Sequence, residues 1–345
     1  MKHAKKPFAA PLVMPLCAAF AVALASAPAW ATDYPLTLEN CGIEVTYEAA
    51  PQRVVTVGQA GTEALYELGL GDRVVGTSVW FTDVPEAFRE LNAGIPRLAD
   101  NDPSFESVVA ARPDLVLIQF EWHVGPEGAV GTREQFHELG IPTYLLPADC
   151  VGKNNAVGVD GTGTELFSVD TLVQGVTELG QIFDIEDTAN ALGEELVARE
   201  DAAVARAEAI GVDGVTAMFW FSSVDIAVDP YVAGRLGAPG YIMETLGIEN
   251  VVQSDEEWPI VGWETLVQAN PTVIVLAEMD RRRLPADAAE AKLEFLRTDP
   301  VASQMDAVVN DRIVVMDAHA MDRTLRTIEG LEVLTDALES FDFGQ

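Results

Sequence analysis

FESVVAARPDLVLI, residues 105–118, is answered 158 positions later by WETLVQANPTVIVL, residues 263–276. Each copy opens on an aromatic residue and a glutamate, passes through a hydroxyl residue and two apolar residues to Ala, and reaches a proline. Four apolar residues follow. A polar start, a proline stop and a continuous apolar run read as a short helix leading into a strand covered on both faces.

Working outward, RVVTVG from Arg53 reads as a buried strand, TEALYELGLG as a helix ending at glycine, and RVVGTS as a second strand. The first repeat is followed by the helix TREQFHELG and the strand IPTYLLP. Strands alternating with helices imply a parallel sheet covered on both sides. VGKNNAVGVDGTGTE, rich in Gly and Asn, then breaks the alternation and is expected to form an exposed loop. Two helices come next, the second long, Ala-rich and charged on one face.

The alternation restarts at GVTAMFWF and runs through the second repeat to RIVVMD and a last helix. A second echo keeps the same order: LGLGDRVV from Leu68 precedes the first repeat, and LGIENVV from Leu246 precedes the second. The intervals to the following glutamates differ, 38 against 18 positions, so the halves are similar and not copies. The expected fold is therefore α/β, two similar lobes with mostly parallel sheets. The lobes are residues 32–185 and 211–345, and the connector helix is 186–210.

Residues 1–31 place three lysines before an apolar run that ends in Ala29-Trp30-Ala31, the pattern of a signal peptide cleaved near Ala31. Leu16 stands before Cys17 where a lipoprotein signal needs a small residue. A soluble exported, periplasmic protein is expected. The chain has 21 Lys and Arg against 55 Asp and Glu, for a net charge of −34; loss of the leader removes three lysines and no acid, leaving −37. Such a surface repels nucleic acid and anionic membranes, and suits solubility in high salt. The two cysteines beyond the leader, Cys41 and Cys150, are expected to pair in a disulfide.

YPLTLENCGIEVTYEAAPQRVVTVG, TEALYELGLGDRVVG, FESVVAARPDLVLI and WPIVGWETLVQANPTVIVL, in this order, resemble the exported substrate-binding proteins of ABC importers for iron chelates and cobalamin. The resemblance covers nearly all of the chain beyond the leader. It implies ligand held in a cleft between the lobes, and docking of both lobe tips onto a membrane permease that works with an ATPase. By motif, Glu106 and Glu264 are the carboxylates, one per lobe, that would meet permease arginines. The repeat then has a purpose: it presents the same docking group twice.

Ligands of open parallel sheets gather beyond the carboxyl ends of strands. In the N-terminal half that rule selects Gln59, Trp80, Phe81, Trp122 and His123. In the C-terminal half it selects Trp220, Phe221, Tyr231, Arg235, Trp258, Arg281, Arg282 and His319. Large rings offer contact area to a bulky chelate, and the run Arg281-Arg282-Arg283 suggests anionic oxygen groups on it. No metal site is expected, because His123, His137 and His319 have no metal-ligand spacing.

The function expected is capture of a ferric siderophore by a monomer that needs no cofactor. Cobalamin or haem is the alternative cargo. No Gly-x-Ser-x-Gly, phosphate loop or His-Glu-x-x-His occurs, so an enzyme is not expected. A carboxylate-based hydrolase, or a scavenger without a permease, are the readings from other classes.

Overall fold

The computed structural model describes residues 1, 3, 4 and 32–343 other than 127 and 159. The leader, with Cys17, Trp30 and the cleavage position at Ala31, lies outside the described residues apart from three near its start. Thr32–Gln345 forms one compact unit.

A hairpin of β1 (Leu36–Asn40) and β2 (Ile43–Tyr47) precedes the N-terminal sheet, whose elements are β3 (Val54–Val57), α1 (Gln59–Glu67), β4 (Val74–Ser78), α2 (Arg89–Ala93) and β5 (Arg97–Ala99). Then come α3 (Phe105–Ala110), β6 (Leu115–Ile118), α4 (Arg133–Glu138) and β7 (Thr143–Leu145). All five strands are parallel, in the order β5-β4-β3-β6-β7. A small hairpin, β8 (Lys153–Asn154) and β9 (Thr162–Gly163), leads to α5 (Val169–Phe183) and α6 (Glu186–Ile210).

The C-terminal lobe runs through β10 (Thr216–Ser222), β11 (Tyr231–Val232), α7 (Ala238–Thr245), β12 (Glu249–Asn250), α8 (Trp263–Ala269) and β13 (Val273–Glu278). It closes with α9 (Ala289–Thr298), α10 (Asp306–Val309), β14 (Ile313–Asp317) and α11 (Thr327–Ser340). Its sheet has the order β11-β10-β13-β14, with β12 also on β10; only β11 is antiparallel.

The central strands are apolar because helices cover both faces: every residue of β3 and β6, and Val273 to Ala277 of β13, is buried. The two repeats share their geometry to the turn. Each helix is followed by a residue with left-handed φ, Arg112 at 52° and Asn270 at 49°, immediately before its proline.

At about 1.5 Å per residue, the 25 residues of α6 reach across both lobes. One side packs on α5, where Gly180 brings the backbones so close that an added Cβ would stand 2.4 Å from the Ala189 Cβ. The other side faces α11, through Arg199 to Glu332 at 2.8 and 2.7 Å and Arg206 to Asp336 at 2.5 Å. A core running through both lobes buries Ala189, Leu196, Ala203 and Ala207 of this helix.

Cys41 and Cys150 form the expected disulfide, which ties β1 to the turn after β7. VGKNNAVGVDGTGTE is largely exposed, as expected, but it is anchored and carries the β8–β9 pair: Gly163 N donates to Asp255 O (2.8 Å), Glu257 N to Gly161 O (3.1 Å) and, just beyond, Phe167 N to Leu236 O (3.0 Å). The segment adds backbone hydrogen bonds across the two lobes, which a composition rich in Gly and Asn permits but does not announce.

Candidate functional site

The two sheets point the carboxyl ends of their parallel strands at a common cleft of about 340 Å³. From the N-terminal lobe, the segment after β4 supplies Val79 and Phe81, the segment after β6 supplies Gln119, Phe120 and Trp122, and the turn after β7 supplies Asp149. From the C-terminal lobe, Phe221 ends β10, Arg281 and Arg283 follow β13, and Asp322 and Arg323 follow β14. Glu257 and Trp258 come from the segment before α8. Lys153, Asn155, Asp160 and Gly161, from the segment expected to be a loop, close one side.

Gly58 makes the N-terminal wall possible. Its φ is 134°, open to glycine but rarely to other residues, and a Cβ there would meet the Gln119 Cβ at 2.2 Å. Gln119 in turn accepts a hydrogen bond from Ala60 N at 3.0 Å, joining the start of α1 to the end of β6. Gln59 is fully buried and faces the other way. Its amide oxygen accepts from Phe81 N (2.9 Å) and Thr82 N (3.3 Å), and its amide nitrogen donates to Glu63 (2.8 Å). It holds the Phe81 segment in place without lining the cleft.

Aromatic rings form two groups on opposite walls. Phe120 stands edge-on to Phe81 (6.2 Å between centroids) and stacks near Trp122 (6.3 Å); across the cleft, Phe221 stacks on Trp258 at 4.4 Å. Arg281 bridges the walls: its guanidinium lies 4.1 Å over the Phe81 ring, and its backbone N–H donates to Phe81 O at 3.0 Å.

Several expected residues stand elsewhere. Trp80 is buried behind the wall, its indole N–H donating to Thr77 (3.0 Å) and its ring 4.7 Å from the Arg97 guanidinium. Trp220 is fully buried against Trp263 and Phe295. Tyr231 pairs with Ser222 in the sheet, and Arg235 is bound to Asp255 at 2.6 Å. Arg282 turns to Glu278 on the surface, and Arg283 reaches the cleft in its place.

His123 and His319 are fully buried, and neither lines the cleft. His123 lies under Trp122, 3.8 Å between ring centroids, and His319 under Phe81 at 6.1 Å. Neither imidazole has a hydrogen-bond partner; the nearest carboxylate oxygen to His123 Nε2 is 3.4 Å away, on Asp102. Burial pulls His123 down to about 4 and lowers His319 also, so both are neutral at pH 7. They act as apolar supports for the cleft rings. Among the described residues, no group of three or more His, Cys, Asp or Glu is arranged to hold a metal ion.

The charges of the cleft are mixed. Asp149 holds Lys153 at 2.6 Å, and Glu257 holds Arg323. Asp322 has no ion pair within hydrogen-bond reach; its side chain is 12% exposed, and burial pushes its carboxyl up to about 7. Acidic side chains in the wall were not expected, because single aspartates scattered along a sequence with 55 acids carry no local signature.

The repeated glutamates sit far from these groups in role. Glu106 and Glu264 are both exposed, each in the first turn of its helix, α3 and α8. There the helix dipole favours a carboxylate by about 0.3–1 kcal/mol.

A sequence profile of the family described as periplasmic binding protein matches residues 54–320. The uncharacterised ABC transporter substrate-binding lipoprotein YvrC of Bacillus subtilis is 22% identical over 309 residues, which is 88% of this chain and 86% of the relative. The cobalamin-binding protein of Halobacterium salinarum is 25% identical over 276 residues, 77% of this chain and 65% of the relative. Among solved structures, that of an ABC-type Fe3+-hydroxamate transport system from Saccharomonospora viridis superposes with a TM-score of 0.70 at 25% identity, over 91% of this chain and 100% of that one.

Proposed function

This chain belongs to the periplasmic binding protein family and is the substrate-binding component of an ABC importer, not an enzyme; we propose that its cargo is a ferric siderophore held in the interlobe cleft. The observation that carries this reading is the cleft itself. Rings from both lobes face each other at the carboxyl ends of two parallel sheets, with charged groups set among them. At about 340 Å³ the site falls near the lower end of the roughly 300–1,000 Å³ usual for small-molecule pockets. The similarity to a protein titled for Fe3+-hydroxamate transport supports the same choice.

Cobalamin is the second reading, favoured by the halobacterial relative named for it. The protein would act as an exported, soluble monomer that takes no resident cofactor; among the described residues no helix is long and apolar enough to cross a membrane. Its partners would be a permease with its ATPase, met through Glu106 and Glu264.

The test is a titration of residues 32–345, followed by tryptophan fluorescence, with ferric hydroxamate, catecholate and carboxylate chelates, cobalamin and haemin. Trp122 and Trp258 both line the cleft. Saturable quenching by a ferric chelate, weakened about tenfold or more by Trp122→Ala through loss of ring contact, is the expected result. Saturation by cobalamin or haemin alone would replace the cargo, and turnover of any ligand would remove the transport reading.

A further inference from the structure

We infer that Lys292 is a positioning residue for the ligand: its ammonium, buried behind the cleft, holds the Phe221–Trp258 stack in place, and binding depends on that ammonium keeping its charge. The inference rests on the cleft being the ligand site and not on which chelate fills it. Phe221 and Trp258 are the rings of the C-terminal wall, stacked with 4.4 Å between centroids. Phe221 stands where its sheet loses its regular pairing. The parallel ladder of β10 on β13 ends at Trp220 and Leu276, and the pairing of β10 with β11 is irregular between Trp220 and Ser222.

Lys292 reaches that point from α9. The residue is fully buried, and its Nζ donates to Ala277 O at 2.7 Å, to Trp220 O at 3.3 Å and to Phe221 O. An ammonium has three N–H donors, one for each carbonyl, so it stands in for the rungs that the ladder between β10 and β13 no longer supplies. The Trp220 ring lies 5.8 Å from Nζ. One residue further on, Ser222 Oγ donates to Asp287 Oδ1 at 2.6 Å, while Asp287 Oδ2 accepts from the backbone N–H groups of Arg283 (2.7 Å) and Leu284 (2.8 Å). Phe221 is thereby fixed at its own carbonyl and through its neighbour, and the same carboxylate holds the backbone of Arg283, another residue of the cleft.

Only the charged form can do this. A neutral amine has two N–H groups and a lone pair, so one of the three buried carbonyls loses its donor. Burial pulls the ammonium down to about 7; Asp287 and Glu278 oppose that shift, and Arg282 adds to it. Those three come from the segment before α9 and from the end of β13. β10 and the turn Ala302–Gln304, which also pack around α9 and the strand ends, carry no charged residue. The charge is therefore lost across the neutral range, and the C-terminal wall loosens as pH rises.

The experiment reads the wall with and without ligand. Between pH 5.5 and 8.5 the fluorescence of Trp258, taken as the difference between a protein and its Trp258→Phe variant, is expected to change in one step near pH 7, and Lys292→Met to abolish that step. Affinity for a linear ferric trihydroxamate should fall about tenfold over the same range in the wild type, while Lys292→Met should bind at every pH as weakly as the wild type at pH 8.5. Asp322, also pushed up to about 7, is present in both proteins and cancels in the comparison. Glu278→Gln removes a charge that supports the ammonium and should move the step to lower pH, which keeps the question decidable if Lys292→Met does not fold. A wild-type Trp258 signal that is flat in pH, or a step that Lys292→Met leaves unchanged, overturns the inference. Affinity lost equally at every pH overturns it too, because it would make Lys292 a structural residue alone. A chelate that does not bind removes the cargo reading, and the ligand-free series still decides this one.

Discussion

At the scale of single residues, Asp322 is the group whose cost can be measured without any ligand. Its carboxyl titrates near 7 in the fold against 3.8 for an ordinary aspartate. Between those values the folded state holds a proton that the unfolded chain has lost, so this group makes stability fall as pH rises. Below pH 3.8 both states are protonated and the effect is gone. Asp322→Asn should therefore melt higher than wild type at pH 7.5, by up to a few kcal/mol at about 1.4 kcal/mol per pH unit, with the gap closing toward pH 4. Thermal melts of both proteins at pH 4, 5.5 and 7.5 check this. A gap that is constant across the range would mean that Asp322 is already solvated. Lys292 shows a different solution to burial: its ammonium is pulled down, to about 7, but it has carbonyl acceptors on Phe221, Ala277 and Trp220, and so braces the strand ends behind the C-terminal wall.

The decisive unit at the scale of elements is the strand-to-helix turn at Gly58. β3 and β6 are neighbours, and the start of α1 is tied to the end of β6 through Gln119. Gly58→Ala is expected to cost about 2–4 kcal/mol, combining a side chain at positive φ with a clash against Gln119. Relief of that clash requires movement of the Gln119-Phe120 wall, so chelate affinity should fall along with stability. A denaturant melt and the fluorescence titration on one sample test both. Full affinity in the substituted protein would show that the wall does not depend on this turn.

Taken as a whole, the molecule is two sheets locked at their common face. Arg326 reaches across to Glu63 through two hydrogen bonds, of 2.8 and 2.6 Å, and to the Asp83 carbonyl at 2.8 Å; Asp83 N donates to Asp280 at 2.7 Å. With α6 packed on both α5 and α11, large hinge motion has little room. On the docking proposed above, delivery by such a body would depend on register, and Glu106 and Glu264 offer one exposed carboxylate on each lobe. The double charge reversal, Glu106→Arg with Glu264→Arg, is expected to abolish uptake in cells that depend on this importer. Chelate affinity should stay within about twofold, since neither residue lines the cleft. Normal uptake by the reversed protein would end the docking assignment and favour a stand-alone scavenger.

The two α/β lobes, the long helix between them and the disulfide could all be read from the chain. They rest on local patterns: apolar strand runs, a repeated helix stop before proline, and one cysteine pair. Assigning which residues line the cleft could not rest on such patterns, because neighbours along the chain point to opposite sides. Trp80 enters the core while Phe81 enters the cleft; Trp220 and Phe221 divide the same way, and Arg281 and Arg283 face the ligand site while Arg282 faces Glu278. Position at a strand end names the neighbourhood, and the pleat and the following turn choose the side. The acids that line the cleft come from segments far apart in sequence, Asp102 before α3, Asp149 and Asp160 in the 149–161 segment, Glu257 before α8 and Asp322 after β14, so only the packing of one lobe on the other could gather them around one site.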